Sequence, residues 1–338
     1  MSTEAPTNII VSCTERKRAI VPERLHLGSL ADGEPSARAR EWWSRLAAYQ
    51  GARWPANDLY CGEHWTLARR SLEALTSAGH AGQLWVASAG YGLIPACAPL
   101  CPYSATFAQG APDSVTRGNV DRGARFGLIQ AWWACLCRFP GPMVRECRSL
   151  RALAVRSPNS GLIVVASPDY IRAMRTDLLA AREALRRPDR LIVISNHGLL
   201  NDVELSRHLI PVDGRCRSAL GGTMQALNAR VALSMIEWGH NGPLTVPRLR
   251  RRYEDIVSGA ARSPKPNRER TDDKDVLAFL RAELVRDPRA GWTPLLRALR
   301  GGGRACEQGR FKALHQRVRD EVARPPGVDL AGTVSEPR

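Results

Sequence analysis

The chain has 338 residues, of which 49 are Lys or Arg and 33 are Asp or Glu, so its formal net charge is +16. Hydrophobic residues make up 44% and charged residues 24% of the chain, as in ordinary globular proteins, which excludes a mostly disordered or fibrous chain. No apolar run reaches the roughly 18 residues that a membrane span needs. The N-terminal residues lack the basic and apolar segments of a secretory signal. We therefore expect a cytoplasmic protein with no membrane partner.

The positive charge favours polyanionic partners, of which nucleic acid is the first to consider in a cytoplasm. The alternative is that the many arginines reflect the codons of a GC-rich genome. The nine cysteines are odd in number and lack the paired C-x-x-C spacing of zinc ribbons, which argues against both a disulfide framework and a metal site. We predict neither a metal nor a cofactor.

Strands and helices alternate over the first 242 residues. Short apolar runs rich in β-branched residues predict strands at 8–13, 84–89, 162–167, 191–195 and 208–212. Apolar residues at helical spacing predict helices at 36–48, 62–77, 125–138, 142–154, 168–186 and 223–238. Residues 55–60 are predicted to form a turn, and 95–122 a long structured loop. This alternation predicts an α/β fold with a mostly parallel sheet flanked by helices.

No strand pattern follows residue 242. Helices are predicted at 246–258, 275–285, 293–300 and 307–322, with a polar linker at 263–273 and a frayed end over the last 14 residues. We therefore predict two domains, an α/β domain at 1–242 and a small, basic, all-α domain at 243–338.

The second predicted domain concentrates positive charge. Residues 245–324 contain 20 Lys or Arg and 11 Asp or Glu, a net charge of +9. Its last two helices, joined by a glycine turn, have the outline of a helix-turn-helix module. Basic and polar side chains on these helices are the expected contacts to nucleic acid, with DNA favoured over RNA: Arg297, Arg300, Arg310, Lys312, His315 and Arg319. A solvated helical cap and a protein-interaction module remain alternatives.

Small and polar residues follow the predicted strands. Parallel sheets bind ligands at the carboxyl ends of their strands, so these residues predict one site there. Ser12, Cys13 and Lys17 can hold an anion. Asp58 can act as a base or a hydrogen-bond acceptor. The segment 88–93 offers glycines for close backbone approach and a tyrosine for stacking on a flat ring.

The order of four short motifs, SC-x-x-x-K, A-x-DLY, SA-x-YGL and PY, resembles the YaaA-like proteins. The resemblance covers residues 8–107 and implies a fold related to the uracil-DNA-glycosylase-like superfamily; the archaeosine synthase core is similar in its Cys-Ser-Lys segment. It implies catalytic roles for Cys13, Lys17 and Asp58. It also implies a substrate-binding set of Ser12, Tyr60, Ser88, Tyr91, Gly92 and Tyr103. Where the family shows an acidic residue after Pro-Tyr, this chain has Ser104.

Together these features predict a nucleic-acid-associated protein that recognises or acts on a base, including a modified one, in DNA modification or anti-phage defence. Glycosidic-bond cleavage or base exchange is the expected chemistry, on a base taken out of its stack. Protein partners from such a system are also expected. Two alternatives remain, a non-enzymatic DNA-binding sensor and an enzyme that acts on free nucleosides or nucleotides.

Overall fold

The computed structural model describes residues 6–116, 121–239, 242–260 and 268–323. The chain divides into two compact units, Met1–Ser263 and Pro264–Arg338. This division differs from the boundary predicted after residue 242, because the helix that follows residue 245 packs on the first unit. Of its apolar side chains, Leu249, Tyr253 and Val257 belong to the core of that unit.

The described strands, in chain order, are β1 (Thr7–Ser12), β2 (Trp54–Pro55), β3 (Gly82–Ser88), β4 (Gly92–Pro95), β5 (Pro99–Leu100), β6 (Gly161–Val165), β7 (Leu191–Asn196), β8 (Leu209–Val212), β9 (Glu269–Arg270) and β10 (Arg304–Ala305). Six of them form the central sheet of the first unit in the order β4-β3-β1-β6-β7-β8. All pairs in this sheet are parallel except β3–β4. The α/β prediction with a mostly parallel sheet is therefore confirmed.

The described α-helices are α1 (Pro35–Ala47), α2 (Ala56–Leu59), α3 (Glu63–Ser77), α4 (Arg122–Arg138), α5 (Leu150–Arg156), α6 (Pro168–Ala173), α7 (Arg175–Ala184), α8 (Val203–Ser206), α9 (Arg215–Leu220), α10 (Leu227–Gly239), α11 (Val246–Ser258), α12 (Asp273–Arg286), α13 (Trp292–Gly301) and α14 (Gln308–Ala323). None of the described helices is long and apolar enough to cross a membrane.

Two predicted helices are shorter than their sequence patterns suggested. The predicted helix 142–154 begins only at Leu150, where the Ser149 side chain caps it by accepting from the Ala152 amide. The preceding residues are irregular because Arg148 donates to the backbone carbonyls of two separate segments, Leu93 and Phe139. The predicted helix 223–238 begins at Leu227.

The strands of the central sheet are mostly buried on both faces, which explains why their sequences are continuous apolar runs rather than alternating ones. Helices α3 and α10 pack against each other, and both contact strands of the sheet. Helix α4 packs against α1 and α6. The largest fully buried side chains include Trp42, Trp85 and Trp132.

The second unit has its own core, in which side chains of α12, α13 and α14 meet. It is not all-α as predicted, because β9 and β10 form a two-stranded parallel ribbon. The ribbon places β10 inside the predicted glycine turn between α13 and α14, so that turn is a structured connection. Residues 263–267 of the predicted linker and the last 14 residues of the chain lie outside the part that the structure describes.

Candidate functional site

The topological switch point of the sheet lies between β1 and β6. From β1 the chain adds β3 toward one edge of the sheet, and from β6 it adds β7 toward the other edge. Open α/β sheets bind ligands in the crevice beside such a switch point, at the carboxyl ends of the strands. Here that crevice lies where β1 and β6 end. The Cys13 sulfur, which follows β1, lies 3.2 Å from the Tyr170 hydroxyl, which follows β6.

Three hydroxyl groups form a buried hydrogen-bonded chain beside Cys13. Tyr103 Oη lies 2.6 Å from Ser88 Oγ and 2.7 Å from Tyr60 Oη. The direction of these bonds follows from Ser88, whose oxygen accepts from the backbone amides of Gly90 and Tyr91. With its lone pairs used, Ser88 donates to Tyr103, and Tyr103 in turn donates to Tyr60. The Tyr60 hydroxyl is then the last member of a polarised hydrogen-bond chain, and it can donate its proton to another acceptor.

Lys17 completes the cluster on its half-buried side. Its ammonium group donates to the Thr14 carbonyl at 3.1 Å and lies 4.5 Å from the centre of the Tyr103 ring. Burial lowers the pKa of Lys17, although nearby acidic groups, Cys13 first among them, oppose that shift. The motifs around Cys13, Lys17, Tyr60, Ser88 and Tyr103 are therefore brought together, as the prediction of one site required.

Tyr91 is not placed to stack on a ligand. Its ring lies edge-on against Tyr103 at 5.1 Å, and its hydroxyl accepts from the Cys101 amide at 3.1 Å. The side chain is only 1% exposed. Gly92 has a φ of +74°, so this glycine serves the turn into β4. Both residues lie in the core next to the cluster, and their role in substrate binding stays a prediction.

Asp58 lies apart from the cluster. It is exposed in the short helix α2, and no hydrogen bond or ion pair joins its carboxylate to Cys13, Lys17 or Tyr60 within the described residues. The helix places Ala56 and Leu59 in the core, so Asp58 falls on the opposite, solvated face.

A different carboxylate, that of Asp113, forms a hydrogen bond with Ser104, the residue that follows the Pro-Tyr pair. Asp113 accepts from the Gly28 amide at 2.9 Å and lies 2.9 Å from His26 Nδ1. Burial opposes ionisation of Asp113, but hydrogen bonds from Ser104, His26 and the Gly28 backbone lower its pKa overall. Asp113 also acts electrostatically on Lys17. Ser104 thus connects the Pro-Tyr segment to an ionised acid from elsewhere in the chain.

Sequence reasoning missed two further polar side chains over the ends of β1 and β6. Buried His64 Nε2, near the Ser12 backbone, has no hydrogen-bond partner among the described residues. Asn228 donates from Nδ2 to Ala166 and Asn196, which leaves its Oδ1 buried without a described partner. Burial lowers the pKa of His64, so its ring is neutral at pH 7 and offers an acceptor. Both residues lie in the first turn of a helix that follows glycine, α3 after Gly62 and α10 after the glycines at 221 and 222. That position is the signal by which the sequence could have indicated them.

The residues of the second unit that were predicted to contact nucleic acid differ in burial and in hydrogen bonding. His315 is buried, with Nε2 3.0 Å from the Ala290 carbonyl, because it shares the core-facing side of α14 with Phe311 and Val318. Arg310 pairs with Asp273 at 2.5 Å, and Arg300 donates to the Cys306 carbonyl. The remaining three are exposed: Arg297, Lys312 and Arg319.

The net charge of the second unit is smaller than predicted, because the unit begins later in the chain. Residues 264–338 contain 16 Lys or Arg and 11 Asp or Glu, a net charge of +5. The predicted excess depended on the arginines of α11, which belong to the first unit. The greater part of the positive charge is therefore on the sheet-containing unit.

No family model matches the chain, and no curated protein or solved structure matches it. The YaaA-like resemblance thus stays a prediction. Among the described residues, no group of three or more His, Cys, Asp or Glu side chains is placed to hold a metal ion.

Proposed function

We propose that this protein binds nucleic acid and recognises or acts on a base, including a modified one, with DNA favoured over RNA. The base would lie at the carboxyl ends of β1 and β6. The observation that carries the proposal is the assembly of Cys13, Lys17, Tyr60 and Tyr103 at the point where the strand order reverses. A role in DNA modification or anti-phage defence, with partner proteins from such a system, follows from the resemblance.

The chemistry of this cluster suits the departure of a base from its sugar. A leaving base gains negative charge, which a hydroxyl donor such as Tyr60 and the cationic Lys17 can stabilise. An ionised carboxylate stabilises the positive charge that develops on the sugar. Asp113, which is linked to the Pro-Tyr segment through Ser104 and acts electrostatically on Lys17, would supply this group. In this proposal Asp113 takes the role that the sequence assigned to Asp58.

The first test is binding of the full chain to labelled single-stranded DNA, double-stranded DNA and RNA across a salt series. We expect the logarithm of the binding constant to fall linearly with the logarithm of salt concentration, because each phosphate contact releases counterions. A variant that ends after Ser263 should retain most of the binding, because Cys13, Lys17, Tyr60 and Tyr103 all belong to the first unit. Absence of binding by the full chain at low salt would contradict the proposal.

The second test measures bases released from modified DNA by mass spectrometry. Lys17→Met and Tyr60→Phe should reduce release while leaving DNA binding in place. Tyr49→Phe is the matched control, because the Tyr49 hydroxyl forms no described hydrogen bond. Binding without release by the wild-type chain would instead favour the sensor alternative. That alternative is consistent with the full burial of Tyr60 and Tyr103. Equal release by Lys17→Met and the wild type would refute the role of Lys17.

A further inference from the structure

A cavity of about 500 Å³ lies in the first unit, beside α4 and the segment that follows β7. Arg122, Phe126 and Arg172 line one side of it, and Arg175, Asp202 and Glu204 line another. It lies at the same edge of the sheet as Cys13, because Arg172 belongs to the helix that follows β6. None of the sequence motifs pointed to this cavity.

The first side of the cavity holds more positive charge than its acidic groups neutralise. The guanidinium groups of Arg172, Arg122 and Arg125 lie 4.8, 5.6 and 5.8 Å from the centre of the Phe126 ring. One carboxylate, Asp169, pairs with two of them, at 3.0 Å from Arg125 and 3.4 Å from Arg172. Arg122 has no acidic partner within the described residues. Around the Phe126 ring, three positive charges thus stand against a single negative one, and two of the three, Arg122 and Arg172, line the cavity.

The opposite side carries one positive charge, that of Arg175, against the two carboxylates of Asp202 and Glu204. Arg175 forms two hydrogen bonds with Asp202, at 2.6 and 3.1 Å, and a third with Glu204 at 2.7 Å. An anion entering the cavity would therefore be drawn to Arg122 and Arg172. Burial lowers the pKa of Arg172, and the like charges of Arg122 and Arg125 lower it further against the effect of Asp169. A bound anion would relieve this repulsion.

We propose that this cavity binds a phosphate group through Arg122 and Arg172. Guanidinium groups recognise phosphate by paired, charge-assisted hydrogen bonds. The phosphate would come from a nucleic-acid strand or from a free nucleotide. The inference rests on the proposed function, for which it supplies a place to hold the backbone.

The cavity is connected to the Cys13 cluster through consecutive residues. Asp169 pairs with the arginines, and its neighbour Tyr170 contacts the Cys13 sulfur at 3.2 Å. Arg125 also donates to the Phe107 carbonyl, and the Phe107 ring packs edge-on against Tyr170 at 4.9 Å. A phosphate held by the arginines would therefore fix its nucleoside near the carboxyl ends of β1 and β6.

The test compares Arg122→Gln with Arg187→Gln in the full chain. Arg122 is exposed and has no described acidic partner, so its loss should not disturb folding. Arg187 is an exposed arginine paired with Asp189 away from the cavity, and it controls for the loss of one positive charge. The probes are a labelled single-stranded DNA 12-mer, AMP and inorganic phosphate.

We expect Arg122→Gln to weaken binding about tenfold and to reduce the salt slope for the 12-mer by about 0.7, with little effect of Arg187→Gln. The 12-mer and AMP identify whether a strand or a free nucleotide supplies the phosphate. If the two variants weaken binding equally, the cavity is not the phosphate site, and the proposed function survives because the wild type still binds. If the wild type binds none of the probes, both proposals fail.

Discussion

Tyr103→Phe tests the hydrogen-bonded chain at the centre of the site. The change keeps the ring and removes one oxygen, which joins Ser88 to Tyr60 at 2.6 and 2.7 Å. The Ser88 hydroxyl then loses its acceptor at 2.6 Å, and the Tyr60 oxygen loses its donor at 2.7 Å. Both groups are fully buried, so solvent cannot replace the lost bonds without a rearrangement.

The expected loss of stability is the cost of two buried hydroxyl groups without partners. Each costs about 1–3 kcal/mol, so the pair should cost about 3 kcal/mol after partial relaxation. For a unit of this size, about 1 kcal/mol corresponds to roughly 2–4 °C in melting temperature. Tyr103→Phe should therefore lower the melting temperature of the first unit by roughly 6–12 °C.

The direction of the chain predicts an order among the variants. Tyr60→Phe removes the terminal hydroxyl and leaves one donor, that of Tyr103, without an acceptor, so its cost should be about half that of Tyr103→Phe. Tyr49→Phe, the control, should change stability by less than about 0.5 kcal/mol. Thermal unfolding followed by tryptophan fluorescence reports on the first unit, whose core contains Trp42 and Trp85.

Two results would refute this reasoning. Equal stability of Tyr103→Phe and Tyr49→Phe would mean that the three hydroxyl groups are not hydrogen-bonded as described. A larger loss for Tyr60→Phe than for Tyr103→Phe would mean that Tyr103 is not the central member. In the second case Tyr60 would not present a free proton to a ligand, and its proposed donor role would fail.

Two further predictions concern the surroundings of the cluster. Because hydrogen bonds lower the pKa of Asp113, its stabilising effect is full above the ordinary carboxyl pKa of about 4 and is lost as the pH falls through the lower folded value. The difference in melting temperature between Asp113→Asn and wild type should therefore be constant from about pH 7 to 5 and shrink below about pH 4; an unchanged difference at acidic pH would contradict this. Gly92→Ala should cost about 1–2 kcal/mol, because φ is +74° there, whereas Gly127→Ala, in the middle of α4 with open space around it, should stabilise by about 0.5–1 kcal/mol. Equal effects in thermal unfolding would refute the turn role of Gly92.

The central sheet could be predicted from sequence because buried parallel strands are continuous apolar runs. All five predicted strands are present, each shifted by at most two residues at either end. The edge strand β4 was missed because its four residues follow directly on a glycine turn, and a run that short carries no period. β4 forms an antiparallel hairpin with β3, and its extended conformation depends on this pairing rather than on its own sequence.

The sequence could predict which residues lie close together at the site, but not which of their side chains face a ligand and which face the core. Cys13 and Ser88 could be placed together because the parallel strands β1 and β3 end at one edge of the sheet. Tyr103 follows β5, which lies outside that sheet, so only the order of the motifs indicated its place in the cluster. Whether a tyrosine at that edge faces a ligand or the core depends on neighbours far along the chain, such as Trp42, whose ring lies 6.4 Å from that of Tyr103. The contact of Asp113 with Ser104 lay within the predicted long loop, where no periodic pattern indicates a partner.

Helix α11 shows why the sum of charges is a poor guide to a nucleic-acid surface. Its arginines gave the C-terminal region its apparent excess, yet several of them hold the helix on the first unit. Arg250 donates to the Leu209 carbonyl at 3.2 Å, and the guanidinium groups of Arg248 and Arg252 lie 4.5 and 5.7 Å from the centre of the Trp238 ring. An arginine whose donors are already satisfied gains little from a phosphate. The arginines that we propose to bind phosphate are those like Arg122, which combine exposure, neighbouring positive charge and the absence of a described acidic partner.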